Sequence, residues 1–121
     1  MAHRILIVDD EPNIVISLEY LLKKEGFDVT VATDGDAALH KATEFRPHLM
    51  LLDVMMPKKS GFEVCELLRA DATMADLKII MLTAKGRETE VTKGLALGAN
   101  AYITKPFSTK DLVAQIKTLL A

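Results

Sequence analysis

Five polar residues stand at the ends of apolar runs in this chain. Asp9 and Asp10 follow Arg4–Val8, Asp53 follows Leu49–Leu52, Thr83 follows Lys78–Leu82, and Lys105 follows Ala101–Thr104. If the runs are strands with their carboxyl ends together, three carboxylates, one hydroxyl and one ammonium share a site. Crowded carboxylates repel unless something positive sits among them. An all-oxygen donor set without His or Cys selects a hard cation, and direct carboxylates with room for water favour Mg²⁺ over Ca²⁺. Lys105 and Thr83 offer a phosphoryl group one cation and one hydroxyl donor. A carboxylate beside Mg²⁺ and a lysine can attack phosphorus and hold an acyl phosphate. Asp53 is the best-placed nucleophile, because its strand is expected to lie centrally. Taken singly, each residue has a plainer reading. Asp53 caps a turn, Asp9 and Asp10 complement a helix dipole, and Thr83 and Lys105 are ordinary strand-end residues. Five such residues at one sheet edge favour the chemical reading.

Periodicity assigns the strands and helices on which these residues stand. Arg4–Val8 is β-branched and apolar, a buried first strand. Pro12 suits the first turn of a helix, and Ile14, Leu18, Leu21 and Leu22 recur at helical spacing until Gly26. Phe27–Ala32 reads as a second strand. Thr33 or Asp34 caps a helix to about Glu44, with Ala38, Leu39 and Ala42 facing inward. Leu49–Leu52, bounded by Pro47 and Pro57, suits a strand buried on both faces, as parallel sheets require. Ser60 caps a helix carrying Phe62, Val64, Leu67 and Leu68, and residues 71–76 read as a polar loop. Lys78–Leu82 is a fourth strand, Glu88 to Leu97 a helix stopped by Gly98, and Ala101–Thr104 a short fifth strand. Ser108 or Thr109 caps a final helix with Leu112, Ile116, Leu119 and Leu120 inside. This alternation predicts an α/β fold with a parallel sheet, helices on both faces and right-handed crossovers. Ligands of such open sheets bind beyond the carboxyl ends of the strands.

Bulk composition narrows the function classes. The 121 residues make one domain of common size, expected to span 1–121. Hydrophobic residues make up 50% and charged residues 26%, which fits a compact globule and not a disordered tail. A formal net charge of −2 argues against direct nucleic-acid binding, which needs a clustered basic surface. Cys65 is the single cysteine, so no internal disulfide forms, and its apolar neighbours make it a packing residue. No apolar run reaches the roughly 20 residues of a membrane span, no signal-peptide pattern opens the chain, and the expected compartment is the cytoplasm. No EF-hand loop, Walker A sequence or G-x-G-x-x-G is present.

The motifs together resemble the receiver domain of two-component response regulators. They are Ile7-Val8-Asp9-Asp10-Glu11-Pro12, Leu52-Asp53-Val54-Met55-Met56-Pro57 with Gly61, Thr83-Ala84, Gly98-Ala99 and Tyr102-Ile103-Thr104-Lys105-Pro106-Phe107. The resemblance covers essentially the whole chain. It implies a flavodoxin-like five-stranded sheet in the order 2-1-3-4-5, of which the chemotaxis receivers are the standard instance. It also implies roles. Asp53 accepts the phosphoryl group, Asp10 binds Mg²⁺ directly with Asp9 beside it partly through water, and the Met55 carbonyl completes the protein ligands. Lys105 pairs with the phosphoryl group, and the bond before Pro106 is cis. Thr83 and Tyr102 form a switch pair, and the small Ala84 leaves the phosphate approachable. Met55 and Lys85 flank the phosphate and tune its lifetime. The implied partners are a histidine kinase or histidine phosphotransfer protein and a downstream effector or fused output domain. A homodimer through the helix 4–strand 5–helix 5 face is a further implication. Subfamilies joined to winged-helix DNA-binding domains carry two acidic residues before the switch tyrosine; Asn100-Ala101 stand there, which argues against that salt-bridged dimer.

Two other classes remain beside the signalling reading. A Mg²⁺-dependent phosphohydrolase of the haloacid-dehalogenase type also uses an Asp nucleophile, but expects a D-x-D pattern on the first strand and a cap for its substrate. A receiver that acts only as a binding or dimerisation module is disfavoured by the competent residues at all five polar positions. Labelling with a small phosphodonor separates the three.

Overall fold

The computed structural model describes residues 2–56, 58–84 and 88–121. Pro57 and Lys85, both singled out from the sequence, lie outside the described residues. Strands β1 (Arg4–Val8), β2 (Asp28–Ala32), β3 (Leu49–Asp53), β4 (Lys78–Ala84) and β5 (Ala101–Lys105) alternate with helices α1 (Pro12–Lys24), α2 (Gly35–Phe45), α3 (Gly61–Ala70), α4 (Glu88–Ala96) and α5 (Thr109–Leu120). The strands form one parallel sheet in the order β2-β1-β3-β4-β5, which is the flavodoxin-like order.

Period-2 alternation assigns each strand residue to a face. Leu6, Val8, Met50, Leu52, Ile79 and Met81 pack with Ala38, Ala42, Val64, Cys65 and Leu68 beneath α2 and α3. Ile5, Ile7, Leu49, Leu51, Ile80, Leu82 and Ile103 pack with Leu18, Leu22, Leu112 and Ile116 from α1 and α5. Both sides of β3 are sealed, which is why it reads as an unbroken apolar run. Each fully buried Leu or Ile contributes about 1.5–3 kcal/mol relative to an exposed one. One inward expectation fails: Leu67 is 47% exposed, because Val64, Cys65 and Leu68 already fill the inner stripe of α3.

Helix starts follow side-chain capping. Asp34 accepts from the Ala37 N–H at 2.8 Å, and Ser60 with Glu63 closes a reciprocal capping box. Ser108 accepts from the Asp111 N–H. The stretch expected as a plain loop holds a 3₁₀ turn at Ala72–Met74, because Asp71 accepts from the Thr73 N–H and hydroxyl. Strands β4 and β5 also run further toward the site than their apolar runs suggest, through Ala84 and Lys105.

Gly61 starts α3 against the end of β3. Its N–H donates to the Val54 carbonyl at 2.9 Å, and a Cβ there would collide with the Asp53 carbonyl oxygen. Gly61→Ala therefore displaces the backbone that carries Asp53. We expect a loss of about 1–3 kcal/mol in stability, read as a lower urea midpoint.

The opposite edge of the sheet is tied by His48. Its Nδ1 accepts from the Arg4 N–H at 2.8 Å, its own N–H donates to the Arg4 carbonyl at 2.8 Å, and its carbonyl accepts from the Lys78 N–H at 3.0 Å. Burial, then the Arg4 and His3 charges, hold the imidazole below its usual pKa. A lowered histidine pKa favours the neutral ring in the fold. The stability it contributes is complete above the unfolded value near 6.5 and is lost as pH falls below it. His48→Asn keeps an acceptor for the Arg4 N–H without titrating. Between pH 7.5 and 5 its urea midpoint should fall less than that of the wild type.

Candidate functional site

Parity on the strands decides which side chains meet. Asp9, Asp53, Ala84 and Lys105 continue the alternation of Ile7, Leu51, Leu82 and Ile103, so all four belong to the α1–α5 side of the sheet. Register places Lys105 beside Ala84 and Asp53 beside Leu82. Lys105 therefore reaches across β4, where the small Ala84 leaves room. Its Nζ donates to Asp9 Oδ2 at 2.9 Å and to Asp53 Oδ1 at 3.4 Å. Asp9 is fully buried, and its Oδ1 accepts from the Glu11 N–H at 2.9 Å. Oxygens of Asp9, Asp10 and Asp53 all lie within 4.8 Å of one another. Asp10 and Asp53 open on a cleft of about 260 Å³, lined also by Glu11, Met55, Ala84, Glu90 and Lys105, with Asp9 buried behind it.

Electrostatics match the crowding. Burial, then the negative charge of Asp9, pushes the Asp53 carboxyl up from 3.8 to about 6, against the opposing pull of Lys105 and the Met55 N–H. Burial alone would lower the Lys105 pKa; its hydrogen bond to Asp9 and the charges of Asp53 and Asp9 win and raise it. One ammonium thus serves two buried acids while a third stands beside them. The residues fit a Mg²⁺ ion. The donors are all oxygen, and three carboxylates converge with one ammonium beside them. The Met55 side chain is exposed at the rim, and its N–H, one atom group away from the expected carbonyl ligand, donates toward Asp53.

Thr83 and Tyr102 fall on the other side of the sheet. Thr83 follows Met81 by parity, and with Tyr102, Thr104, Val91 and Thr92 it lines a separate cavity of about 330 Å³ beneath α4. The Thr83 hydroxyl is buried and has no hydrogen-bond partner among the described residues. An unpaired buried hydroxyl is costly. Tyr102 borders that cavity and is 44% exposed. So the structure brings Asp9, Asp10, Asp53 and Lys105 into one cluster and sets Thr83 at the same sheet edge, on the neighbouring cavity. The Lys105–Pro106 bond is cis. Glu90 belongs to the cleft and was not identified from the sequence. It lies in no motif, and only the path of α4 brings it near Asp53.

The family model for the response regulator receiver domain matches residues 5–117. The chain is 48% identical over 120 residues to the alkaline phosphatase synthesis transcriptional regulatory protein PhoP of Bacillus subtilis (strain 168), covering 99% of this chain and 49% of that protein. It thus spans about half the length of that curated relative. A chain described as a response regulator from Chloroflexus aurantiacus J-10-fl superposes with a TM-score of 0.96 at 34% identity, over 99% of this chain and 98% of that one. The receiver domain of the sensor histidine kinase PA1611 from Pseudomonas aeruginosa PAO1, with a magnesium ion coordinated in its active-site cleft, gives a TM-score of 0.90 at 28% identity, over 98% of each chain.

A carboxyl group whose folded pKa is raised destabilises the fold when ionised. That cost sets in as pH rises above 3.8 and is complete above about 6. Asp53→Asn should therefore be more stable than the wild type at pH 8 without divalent cations, by on the order of 2 kcal/mol. The advantage should vanish near pH 4, and Mg²⁺ should raise the melting temperature of the wild type more than that of the variant.

Proposed function

This chain belongs to the response regulator receiver domain family, and on that footing we propose that residues 1–121 form a phospho-accepting signalling domain. The observation that carries the proposal is the Lys105 ammonium bonded to both Asp9 and Asp53 within a cluster of three carboxylates. Asp53 is the nucleophile. Its free oxygen attacks phosphorus, the bond from phosphorus to the donor breaks, and an acyl phosphate forms on Asp53. Lys105 transfers its contact from the Asp53 carboxylate to an equatorial phosphoryl oxygen, which lets it stabilise charge that spreads in a loose transition state. Asp9 holds Lys105 in place throughout and, with Asp10, Asp53 and the Met55 carbonyl, would hold Mg²⁺. When bound, the ion neutralises phosphoryl charge and orients the group for in-line transfer.

The orphaned Thr83 hydroxyl supports the switching half of the proposal. A phosphoryl group on Asp53 carries roughly −1.5 to −2 charges if serine phosphate is a guide. Thr83 turns to donate to one of its oxygens, and Tyr102 then fills the vacated cavity under α4. The Tyr102 ring moves from an exposed to an inward position, and the α4–β5–α5 surface changes with it. Leu95 and Tyr102, each more than two-fifths exposed, make that surface partly apolar. An effector, a fused output domain or a second copy would read it. The phosphodonor is a histidine kinase or a histidine phosphotransfer protein in the cytoplasm. No helix among the described residues is long and apolar enough to cross a membrane.

Incubation with Mg²⁺ and acetyl phosphate should add one alkali-labile phosphate, seen by intact-mass spectrometry. Asp53→Asn or chelation of Mg²⁺ should abolish it. Labelling that persists in Asp53→Asn, or multiple turnover on small phosphate esters, would overturn the proposal. Thr83→Ala should retain labelling on Asp53. The fluorotyrosine NMR signal of Tyr102, which moves to a buried position on phosphorylation of the wild type, should stay in its exposed position in that variant.

A further inference from the structure

The amino-terminal ends of the strands, remote from the acid cluster, hold a cavity of about 350 Å³ between the start of β3, the turn at Ala72–Met74 and the last turn of α5. Pro47, Met74 and Leu77 are buried and give it an apolar floor, and Arg46, His48 and Lys78 bring donors to its wall. Arg46 closes α2 with φ 53, a left-handed conformation that glycine takes freely and a side chain takes at a cost. Its guanidinium reaches the Met74 sulfur at 3.9 Å. Asp71 feels that charge but is already bonded to the Thr73 N–H and hydroxyl. Among the described residues neither Arg46 nor Lys78 forms an ion pair. His48 accepts at Nδ1 from the Arg4 N–H, so the neutral ring carries its proton on Nε2, which bonds to no described oxygen or nitrogen. Arg4 is engaged by the Phe45 and Arg46 carbonyls, and it neutralises the negative end of α2 beside the cavity.

We propose that this cavity binds a small organic carboxylate, with its apolar body on Pro47, Met74 and Leu77 and its charge against Arg46, Lys78 and the His48 N–H. Nothing in it depends on the phospho-acceptor reading. The volume lies at the lower end for small-molecule sites, which combine an apolar lining with a few polar anchors. Each part alone is weak, because exposed charge pairs contribute little and three floor side chains cover a small area. Together they select a ligand that has both. Acetate lacks the body, and an uncharged alcohol lacks the charge. Asp76, exposed at the rim, and a terminal carboxylate at Ala121 oppose the ligand. Binding is also linked to His48. Burial, then the Arg4 and His3 charges, hold its pKa down. A bound carboxylate offsets those charges, so it raises that pKa and binds more tightly as pH falls through it. The His3 ring stands edge-on to His48 at 5.1 Å between centroids and titrates in the same sense. The remaining charges around the pair are Arg46, Lys78 and Asp76, with the Lys117–Glu25 ion pair beyond His3.

Titration of the unphosphorylated protein with benzoate, benzyl alcohol and acetate, followed by NMR of amides, methyl groups and histidine rings, tests it. Benzoate should give saturable shifts at His48, Lys78 and the Leu119 and Leu120 methyls that border the cavity. Its dissociation constant should be on the order of 1 mM, as a ligand of so few atoms allows, and the His48 pKa should rise. Benzyl alcohol and acetate should each bind more weakly by at least roughly threefold. Arg46→Gln and Lys78→Gln should each weaken benzoate by roughly two- to fivefold, the range of an exposed ion pair, and Asp76→Asn should tighten it. Equal binding of benzyl alcohol overturns the inference. Shifts that stay linear in concentration, or that map to another surface, overturn it as well. So does an unchanged benzoate affinity in Arg46→Gln and Lys78→Gln proteins whose spectra report the wild-type fold.

Discussion

The Lys105 ammonium, shared between Asp9 and Asp53, is the interaction on which the arrangement depends. It ties the last strand to the first and the middle one across β4, over a span that backbone pairing alone does not bridge. Two buried acids without it would face each other unpaired in a poorly solvated cleft, a costly state. With it, they remain close and only partly neutralised. Burial first, and the Asp9 charge second, hold the Asp53 pKa up in spite of Lys105. Under the proposed function such a site would take up added positive charge, and Lys105 would already stand beside the nucleophile.

The apolar part of the fold exists to make that sharing possible. Sheet order puts β3 between β1 and β4, and the alternation of Leu49, Leu51 and Asp53 carries the acid out on the same side as Ile7 and Asp9. Ala84 is small where the Lys105 stem crosses β4. Gly61 lets the chain turn back against the Asp53 carbonyl. Packing fixes the positions, and the residue at each strand end supplies the chemistry. The same alternation sends Thr83 and Tyr102 to the opposite side, beneath α4. The site therefore has two compartments at one edge, one with the acids and Lys105 and one with a cavity and the Thr83 hydroxyl, which has no partner among the described residues. α4 is short, contains Gly94 in its last turns, and buries only that residue, against Met81.

Much of this was legible in the sequence because it depends on local pattern. β-branched runs marked the strands, Asp34, Ser60 and Ser108 marked helix starts, and Asp9, Asp53 and Lys105 could be placed together once the sheet was known to be parallel. What stayed hidden depends on register and tertiary contact. The extension of β4 and β5 to Ala84 and Lys105 comes from pairing between the strands. Leu67 looked inward by hydrophobicity, yet the inner stripe of α3 was already filled. Asn100 stood out as a departure from an acidic position on the α4–β5–α5 face. Its side chain instead accepts from the Ile79 N–H and from Arg69, both at 2.8 Å, so it fastens the start of β5 to β4 and α3. Glu90 enters the cleft only because of where α4 runs, and no spacing rule signals that.

The account stands most directly on the ionisation of one carboxyl group, which carbon-13 NMR of labelled aspartate side chains measures in solution. The Asp53 resonance should titrate near pH 6 without divalent cations, and well below that when Mg²⁺ is added. An Asp53 that titrates near the ordinary carboxylate value of about 4, and does not respond to Mg²⁺, would contradict it.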